Sequence, residues 1–450
     1  MVYAQSLMDM VHRQDPAQPE FHQAVEEVVT SLKPLLNSDS RYADHKMLER
    51  IINPDRIIIF RVAWLDDKGE HQINRGYRIQ FNNAVGPYKG GFRFHPSVNL
   101  SILKFLGFEQ TFKNALTGLA IGGAKGGADF DPKGKSDHEV MRFCQAFMTE
   151  MYRYIGPTVD VPAGDIGVAA REIGFMYGQY KRITSRHEGA FTGKGYEWGG
   201  SLARKEATGY GAVYFARNML GVRGDSLEGA TCAVSGSGNV AIYTVEKLQQ
   251  VGAKAVTVSD SNGMIHHPAG IDLAVLKQVK EVERGRLTRY KELCPDATYI
   301  PVSDYPKGRN MVWSVPCKAA FPSATQNELN ADDARELLKN GCVCVAEGAN
   351  MPSTQAAVDL FLEAKIAYGP GKAANAGGVA VSQMEMAQNA SMKPWTFEKV
   401  DAELHGVMKH IFETAHATAV EFGQPHNLVM GANIASFRRV AHSMRDLGMY

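Results

Sequence analysis

The stretch ATCAVSGSGNVA, residues 230–241, decides the expected fold of this chain. Its first half predicts a strand, and the pattern Gly236-x-Gly238-x-x-Ala241 follows directly and opens a predicted helix. Gly236 permits a tight turn, Gly238 lets a pyrophosphate approach the backbone, and Ala241 keeps the helix close to the sheet. A second strand is predicted at residues 255–259. The stretch therefore predicts a βαβ unit of a Rossmann-like domain that binds a dinucleotide.

The cofactor type is left open by the residues that follow. Asp260 closes the second strand, where an acid normally reads the ribose of NAD and repels the extra phosphate of NADP. Ser261 beside it can hydrogen-bond a phosphate instead. Four basic residues downstream could supply charge for NADP, or could equally be the solvated face of a helix: Lys280, Arg284, Arg286 and Arg289.

Length and composition are those of a globular protein of two domains. The chain has 450 residues, more than one hydrophobic core usually supports. Its net charge of +1 lacks the basic field of nucleic-acid-binding proteins, so no nucleic-acid partner is expected. Because no run of about 18 apolar residues occurs, no membrane span is expected either.

Cysteine and histidine usage argues against metal sites and disulfides. None of the six cysteines forms a Cys-x-x-Cys pair, which favours free thiols in a reducing compartment. Cys342 and Cys344 have no histidine nearby, and the fourteen histidines show no zinc-binding spacing, so we expect no metal. Residues 1–14 lack the pattern of a secretory signal, so a cytoplasmic location is expected.

Periodicity predicts an α/β protein throughout. Helices are predicted in residues 1–50, with a break near Pro34, and residues 56–81 form a predicted hairpin. A domain junction is expected near Gly199. The remaining predictions are helices at about 99–116, 137–155, 207–220, 379–391, 398–422 and 428–447, and strands at 343–346 and 366–368.

Three lysines, Lys89, Lys113 and Lys125, lie in a segment rich in glycine that ends at Asp165. Glycine is selected where the backbone takes unusual dihedral angles or approaches a ligand closely. Gln110 and Lys113 are three residues apart, so they share one face of a predicted helix. Three cations held in this way predict a pocket for a small dianion, with one lysine desolvated enough for proton chemistry.

The chain resembles the bacterial-type hexameric glutamate dehydrogenases, of the superfamily that also holds leucine, phenylalanine and valine dehydrogenases. The resemblance covers nearly the whole chain. It is carried by the motifs at residues 86–96, 104–114, 126–134, 160–167, 206–211, 347–352 and 371–378.

The resemblance implies a role for each candidate residue of the dianion pocket. Lys125 matches the catalytic lysine that activates water, and Asp165 matches the acid that exchanges a proton with the substrate nitrogen. Such a lysine needs a lowered pKa, which burial and neighbouring cations produce. The implied substrate-binding residues are Lys89 with Gly90 and Ser382 for the side-chain carboxylate of glutamate, Gln110 and Lys113 for the α-carboxylate, and Gly164 through its backbone.

The resemblance also implies the domains, the cofactor and the assembly. Residues 1–200, joined by the C-terminal helix at about 425–450, would bind substrate and oligomerise. Residues 201–424 would bind the dinucleotide, with the substrate in a cleft between the domains. The 259–261 stretch resembles that of NADP-using members, so NADP is expected. Because the family members it resembles are hexameric, a homohexamer is also expected. The cofactor-binding residues implied are Thr208, Gly236, Gly238, Asn239, Val240, Asp260, Ser261 and Asn350.

The expected reaction is the reversible oxidative deamination of L-glutamate to 2-oxoglutarate and ammonium with NADP, in ammonium assimilation. The same reaction with NAD is the alternative on the cofactor. Two other functions compete: a sister dehydrogenase for an apolar amino acid, which would leave Lys89 buried against a hydrophobic side chain, and a silent dinucleotide-binding protein, which would not need Lys125 with Asp165. The chain departs from the family pattern at Ala124, Lys205 and Ser323, where glycine, proline and cysteine are common.

Overall fold

A computed structural model describes residues 2–448 and divides the chain into two compact units. Unit 1 comprises Met1–Leu202, Val381–Val400 and Asn433–Tyr450, and unit 2 comprises Ala203–Ala380 and Asp401–Ala432. Two segments therefore lie outside the domains expected from sequence. Residues 381–400 belong to unit 1, because their side chains bond to the 193–201 segment, and residues 425–432 belong to unit 2.

The first part of the chain alternates helices with the strands of one mixed sheet. Its elements are α1 (Val2–Gln14), α2 (Pro19–Ser38), α3 (Arg41–Asp44), α4 (Met47–Ile52), β1 (Arg56–Leu65), β2 (His71–Asn82), β3 (Tyr88–Phe94), α5 (Leu100–Leu116), β4 (Gly123–Ala128), α6 (Asp137–Met151), β5 (Asp160–Gly164) and α7 (Ala170–Thr184). The strand order is β1-β2-β4-β3-β5.

Within this sheet, β2 pairs antiparallel with β1 and β4, whereas β3 runs parallel to β4 and β5. The predicted hairpin is confirmed, since Arg56 pairs with Gln80 and Leu65 with His71. The predicted helix break at Pro34 is wrong: α2 continues to Ser38. The buried Leu32 and Leu35 flank the proline, and their packing outweighs one missing backbone hydrogen bond.

The later part of the chain is a doubly wound α/β arrangement. Its elements are α8 (Ala207–Gly221), β6 (Thr231–Val234), α9 (Asn239–Gln250), β7 (Lys254–Ala255), β8 (Thr257–Asp260), β9 (Gly263–His266), α10 (Leu273–Lys277), α11 (Leu287–Leu293), β10 (Thr298–Pro301), β11 (Ala319–Phe321), α12 (Ala331–Lys339), β12 (Cys344–Ala346), α13 (Gln355–Glu363), β13 (Ala367–Gly369), α14 (Gly371–Ala374), α15 (Gly377–Ser391), α16 (Phe397–Glu421) and α17 (Leu428–Asp446).

A parallel five-stranded sheet, in the order β13-β12-β11-β6-β7, forms the centre of unit 2. Strands β8, β9 and β10 form a small antiparallel sheet. The βαβ unit predicted from residues 230–241 is confirmed, with α9 between β6 and β7. None of the helices in residues 2–448 combines the length and apolarity that a membrane crossing requires.

Aromatic packing fixes two helices on the unit 1 sheet. Helix α5 lies against β2 and β4, where the Phe81 and Phe108 rings are 5.7 Å apart. Helix α6 lies against β1 and places Phe143 and Phe147 at 5.0 and 5.4 Å from Phe94. Buried aromatic rings therefore anchor both helices to the sheet, and such rings contribute strongly to core stability.

The glycines around Lys89 and Lys125 serve close packing within strands, a role that sequence analysis did not assign. A Cβ on Gly90 would lie 1.7 Å from the Ala124 carbonyl oxygen. A Cβ on Gly123 would lie 2.0 Å from Thr111 Oγ1 and 2.6 Å from Thr111 Cα. Strands β3 and β4 and helix α5 approach one another at distances that only glycine allows.

Replacing Gly123 with alanine should lower the thermal midpoint of unfolding, because α5 must move away from β4. Overpacking of this kind costs about 1–3 kcal/mol. Gly178→Ala is the matched control: Gly178 lies exposed in α7, and its added Cβ would meet nothing within 4 Å. That substitution should raise the midpoint through helix propensity. Equal midpoints for the two variants in differential scanning calorimetry would contradict this packing argument.

Candidate active site and nucleotide site

Lys89 and Lys125 lie on neighbouring strands of unit 1, β3 and β4. Their exposed fractions are only 1% and 5%. On the flanking strands β2 and β5, the Arg78 guanidinium binds the Asp160 carboxylate, with Nε 2.8 Å from Oδ2. Its Nη1 also donates to the Gly90 carbonyl at 3.0 Å. The fully buried Arg78–Asp160 pair therefore holds the backbone beside Lys89.

Lys125 and Asp165 are brought together, 40 residues apart in sequence. Lys125 Nζ donates to Asp165 Oδ1 at 2.8 Å. Arg93 on β3 donates from Nε to the other carboxylate oxygen, Oδ2, at 2.6 Å. The carboxylate is thus oriented by two cations, one on each oxygen. Arg93 is not among the residues predicted from the sequence, although it stands within the motif at residues 86–96 that carries the resemblance.

This arrangement shifts both pKa values downward. Burial lowers the pKa of Lys125, and the charges of Arg93 and Arg78 lower it further against the opposing effect of Asp165. Burial alone would raise the pKa of Asp165, but Lys125 and Arg93 outweigh it and hold that pKa well below its usual range. The pair therefore combines an ammonium that deprotonates more readily with a carboxylate that stays ionised.

Lys89 is held by a residue that sequence analysis did not identify. Its Nζ donates to Thr192 Oγ1 at 2.8 Å, across 103 residues of sequence. The Thr192 amide donates to the Pro162 carbonyl at 3.0 Å, which anchors the threonine to β5. A threonine in a loop carries no sequence signal for this contact, because only the fold brings it to Lys89.

The predicted α-carboxylate residues lie on α5. Gln110 donates to Asn114 Oδ1 at 2.7 Å, and Asn114 donates to the Lys89 carbonyl at 3.1 Å. A Cβ on Gly90 would lie 3.3 Å from Gln110 Cγ, so this glycine and Gln110 are adjacent. Lys113 is partly buried one turn along the helix.

The other predicted substrate residues lie at the ends of neighbouring elements. Gly164 ends β5 directly before Asp165, and its carbonyl would lie 2.6 Å from a Cβ on Gly91. Ser382 is 2% exposed on α15. Glu385, one turn further along α15, accepts a hydrogen bond from the Gly193 amide, next to Thr192.

In unit 2, the predicted phosphate-binding turn has the geometry that a pyrophosphate needs. Gly236 has φ of +81°, in the left-handed region that favours glycine. Gly238 caps α9, and a Cβ there would meet nothing within 4 Å, so space is open over the backbone. Asn239 and Val240 form the first turn of α9, whose amides and dipole favour an anion. These residues fit a dinucleotide phosphate.

The residues at the end of β8 favour a phosphate over a bare ribose. Both Asp260 oxygens already accept backbone amides, Oδ1 from Asn262 at 2.9 Å and Oδ2 from Leu287 at 3.0 Å. Ser261 Oγ accepts a hydrogen bond from Arg286 Nη1 at 2.9 Å. The Arg286 guanidinium is therefore held beside Ser261 on an exposed surface.

Two of the remaining basic candidates, Lys280 and Arg289, have other partners. Lys280 donates to the Gly285 carbonyl at 2.8 Å, and Arg289 pairs with Glu283 and Glu292.

Thr208 lies in the first turn of α8, and its Oγ1 would lie 2.7 Å from a Cβ on Gly378.

Asn350, the last predicted cofactor residue, accepts a hydrogen bond at Oδ1 from Asn375 at 2.7 Å. No cluster of three or more metal-ligating side chains occurs within residues 2–448.

Comparison with known protein families identifies the chain's relatives. A family model described as Glutamate/Leucine/Phenylalanine/Valine dehydrogenase matches residues 199–448, more than half of the chain. A second, described as Glu/Leu/Phe/Val dehydrogenase, dimerisation domain, matches residues 54–182. The chain belongs to the Glu/Leu/Phe/Val dehydrogenase family. The resemblance inferred from its motifs is thereby confirmed.

Individual members of the Glu/Leu/Phe/Val dehydrogenase family match over the full length. The NADP-specific glutamate dehydrogenase of Helicobacter pylori is 64% identical, over 100% of each chain. The crystal structure of Plasmodium falciparum glutamate dehydrogenase has a TM-score of 0.96 and 51% identity, covering 100% of this chain and 95% of that one. The hetero-hexameric glutamate dehydrogenase from Thermus thermophilus has a TM-score of 0.82 and 26% identity, covering 96% and 98%.

Arg93→Gln should raise the pKa of Lys125, because it removes a cation that disfavours the protonated amine. Competitive acetylation across a pH series, read by mass spectrometry of the Lys125 peptide, measures this pKa without any assay of activity. Arg142→Gln is the control, since it breaks the partly exposed pair with Asp67 in the same unit. A wild-type Lys125 that titrates at or above its ordinary 10.5 would contradict the electrostatic argument.

Proposed function

We propose that this chain is a glutamate dehydrogenase that converts L-glutamate, NADP⁺ and water reversibly into 2-oxoglutarate, ammonium, NADPH and a proton. The observation that carries the proposal is the Lys125–Asp165 pair with Arg93 behind it, which combines a lysine of lowered pKa with an ionised acid. Full-length identity of 64% to an NADP-specific glutamate dehydrogenase supports the same reaction.

Unit 1 would hold the substrate by its two carboxylates. Lys89, with Ser382, binds the side-chain carboxylate, and its buried ammonium strengthens that contact because the local dielectric is low. Gln110 and Lys113 bind the α-carboxylate from one face of α5. The backbones of Gly90 and Gly164 complete the site. An apolar amino acid would leave the Lys89 ammonium desolvated beside a hydrocarbon, which is costly.

Lys125 and Asp165 would move the protons. Asp165, as a carboxylate, takes a proton from the substrate ammonium, which prepares the nitrogen for oxidation. When bound, NADP⁺ supplies the acceptor for the hydride from the α-carbon. Unprotonated Lys125 takes a proton from water as its oxygen adds to the iminium carbon, which gives a carbinolamine, and Asp165 returns its proton to the nitrogen. The C–N bond then breaks as the hydroxyl oxygen forms the carbonyl, and the hydroxyl proton passes to the departing ammonia, which leaves as ammonium.

Unit 2 would hold the cofactor. Gly236, Gly238, Asn239 and Val240 bind the pyrophosphate at the start of α9. Asp260 shapes the end of β8 by accepting two backbone amides, and Ser261 with Arg286 binds the 2′-phosphate of NADP. Thr208 and Asn350 contact the nicotinamide end.

We also propose a homohexamer that works in the cytoplasm. Strand β1 is an edge strand, and the hairpin exposes a row of apolar residues that suits contact with a second copy. The exposed fractions in this row are 39% for Ile57, 52% for Ile59, 41% for Leu65 and 70% for Ile73. The Thermus thermophilus relative is hetero-hexameric. Six buried free cysteines suit a reducing compartment.

Sedimentation equilibrium should give a mass six times that of one chain. Ile59→Asp should lower this mass, because it places a charge in the apolar row. Val302→Asp, on an exposed residue of unit 2, is the matched control and should leave the mass unchanged. A monomeric wild-type protein would rule out the homohexamer.

Lys125→Ala should reduce kcat for glutamate oxidation at least about 10³-fold, since general-base catalysis contributes up to about 10⁴. NADPH binding, followed by fluorescence, should be unchanged because the cofactor residues lie in unit 2. Lys68→Ala, in the turn between β1 and β2, should retain full activity. Glutamate oxidation that persists in Lys125→Ala, or a wild type that prefers L-leucine to L-glutamate, would contradict the proposal.

Arg286→Gln should weaken NADPH binding about 10- to 100-fold, because a charge-assisted contact to the 2′-phosphate is lost. NADH, which lacks that phosphate, should bind as in the wild type. Isothermal titration with both cofactors measures the ratio. Arg289→Gln, whose arginine pairs with two glutamates, should change neither affinity. An equal loss for NADPH and NADH would show that Arg286 does not read the phosphate.

A further inference from the structure

Lys194 and Glu385 form a buried ion pair in unit 1 that the proposed chemistry does not use. Lys194 Nζ lies 2.7 Å from Glu385 Oε1, and the side chains are 2% and 0% exposed. The same ammonium donates to the Phe191 carbonyl at 2.5 Å and to Asn389 Oδ1 at 2.7 Å. A buried pair of this kind offers little net stability, but it holds its surroundings in one geometry.

The Glu385 carboxylate also fixes the backbone that carries Thr192. Its Oε2 accepts the Gly193 amide at 2.9 Å, and its Oε1 accepts the Lys194 amide at 3.3 Å. Gly193 has φ of +80°, so the chain turns sharply directly after Thr192. Thr192 in turn accepts the hydrogen bond from Lys89. The carboxylate therefore sets where the Thr192 hydroxyl meets the Lys89 ammonium.

The same pair anchors the helix that carries Ser382. Glu385 lies three residues after Ser382 on α15, so the two side chains are neighbours on one helix face. Asn389, four residues further on, also binds Lys194 and donates to the Gly199 carbonyl at 2.7 Å. The two side chains proposed to bind the distal carboxylate are thus both linked to Glu385: Lys89 through Thr192 and Gly193, and Ser382 through α15.

We propose that the Lys194–Glu385 pair is a positioning device for selectivity, which makes the enzyme require a carboxylate at the distal end of its substrate. The inference rests on the proposed function. Neither residue of the pair touches the α-carbon chemistry of Lys125 and Asp165. Loss of the pair loosens only the subsite that recognises the distal carboxylate, so substrates without that group should be unaffected.

The test is the double variant Lys194→Met/Glu385→Leu, which removes both charges and leaves no single ion buried. KM for 2-oxoglutarate should rise about 10- to 100-fold, while kcat should stay within about threefold, because a ground-state contact is lost. KM for ammonium and NADPH should not change. The kcat/KM for 2-oxovalerate, which has the same chain length without the distal carboxylate, should also be retained.

Lys104→Met/Asp15→Leu provides the control, because it removes another ion pair of unit 1, between a buried lysine and a partly buried aspartate, whose Nζ and Oδ2 atoms are 2.7 Å apart. It should leave the ratio of 2-oxoglutarate to 2-oxovalerate unchanged. Single Glu385→Gln, which retains the shape of the side chain, should change that ratio in the same direction if the double variant fails to fold.

The outcomes distinguish a failure of the positioning role of the Lys194–Glu385 pair from a failure of the proposed function. Equal losses on 2-oxoglutarate and 2-oxovalerate would show a general structural role and overturn the inference, as would an unchanged KM. A wild-type protein that reduces neither compound would overturn the proposed function itself, and the inference with it.

Discussion

The close contact between β3, β4 and α5 is the constraint on which the rest of unit 1 depends. At Gly90 and Gly123 these elements approach so closely that a single added carbon would lie 1.7–2.0 Å from a neighbouring atom. The lysines of β3 and β4 are consequently buried on neighbouring strands, next to the polar face of α5. A larger residue at either glycine would separate the elements and displace the two buried lysines.

Charge is concentrated in this small volume and balanced locally. Arg78 is matched by Asp160, and Lys125 and Arg93 share Asp165. Two unit charges 4 Å apart interact by about 4 kcal/mol at an effective dielectric of about 20, so one misplaced ion would disturb the whole group. Burial lowers the pKa of Lys125, and the charges of Arg93 and Arg78 lower it further, while Lys125 and Arg93 keep Asp165 ionised.

In the nucleotide site, hydrogen bonds to the backbone give Asp260 a different role from the one that its position in the sequence predicts. An acid at the end of the second strand normally indicates NAD. Here both oxygens of Asp260 accept backbone amides, and one of these amides begins α11. The acid thus organises the loop, while Ser261 and Arg286 present the groups that suit a phosphate. The α11 N-terminus provides an alternative partner for Asp260 that its sequence position did not reveal.

Sequence alone determined the βαβ unit, the hairpin and the long helices, because strand and helix periods and turn-forming glycines are local properties. Its long motifs also predicted Lys89, Lys125 and Asp165 as site residues, and the structure places Lys125 and Asp165 in contact. The family followed from the resemblance carried by the long motifs. Only the tertiary structure decided that the glycine-lysine segments are strands, that residues 381–400 pack with unit 1, and that Arg93, Thr192, Lys194 and Glu385 surround the site. Those contacts join residues 72 to 191 positions apart, and pairing over such distances depends on the packing of whole elements rather than on any pattern of neighbouring residues.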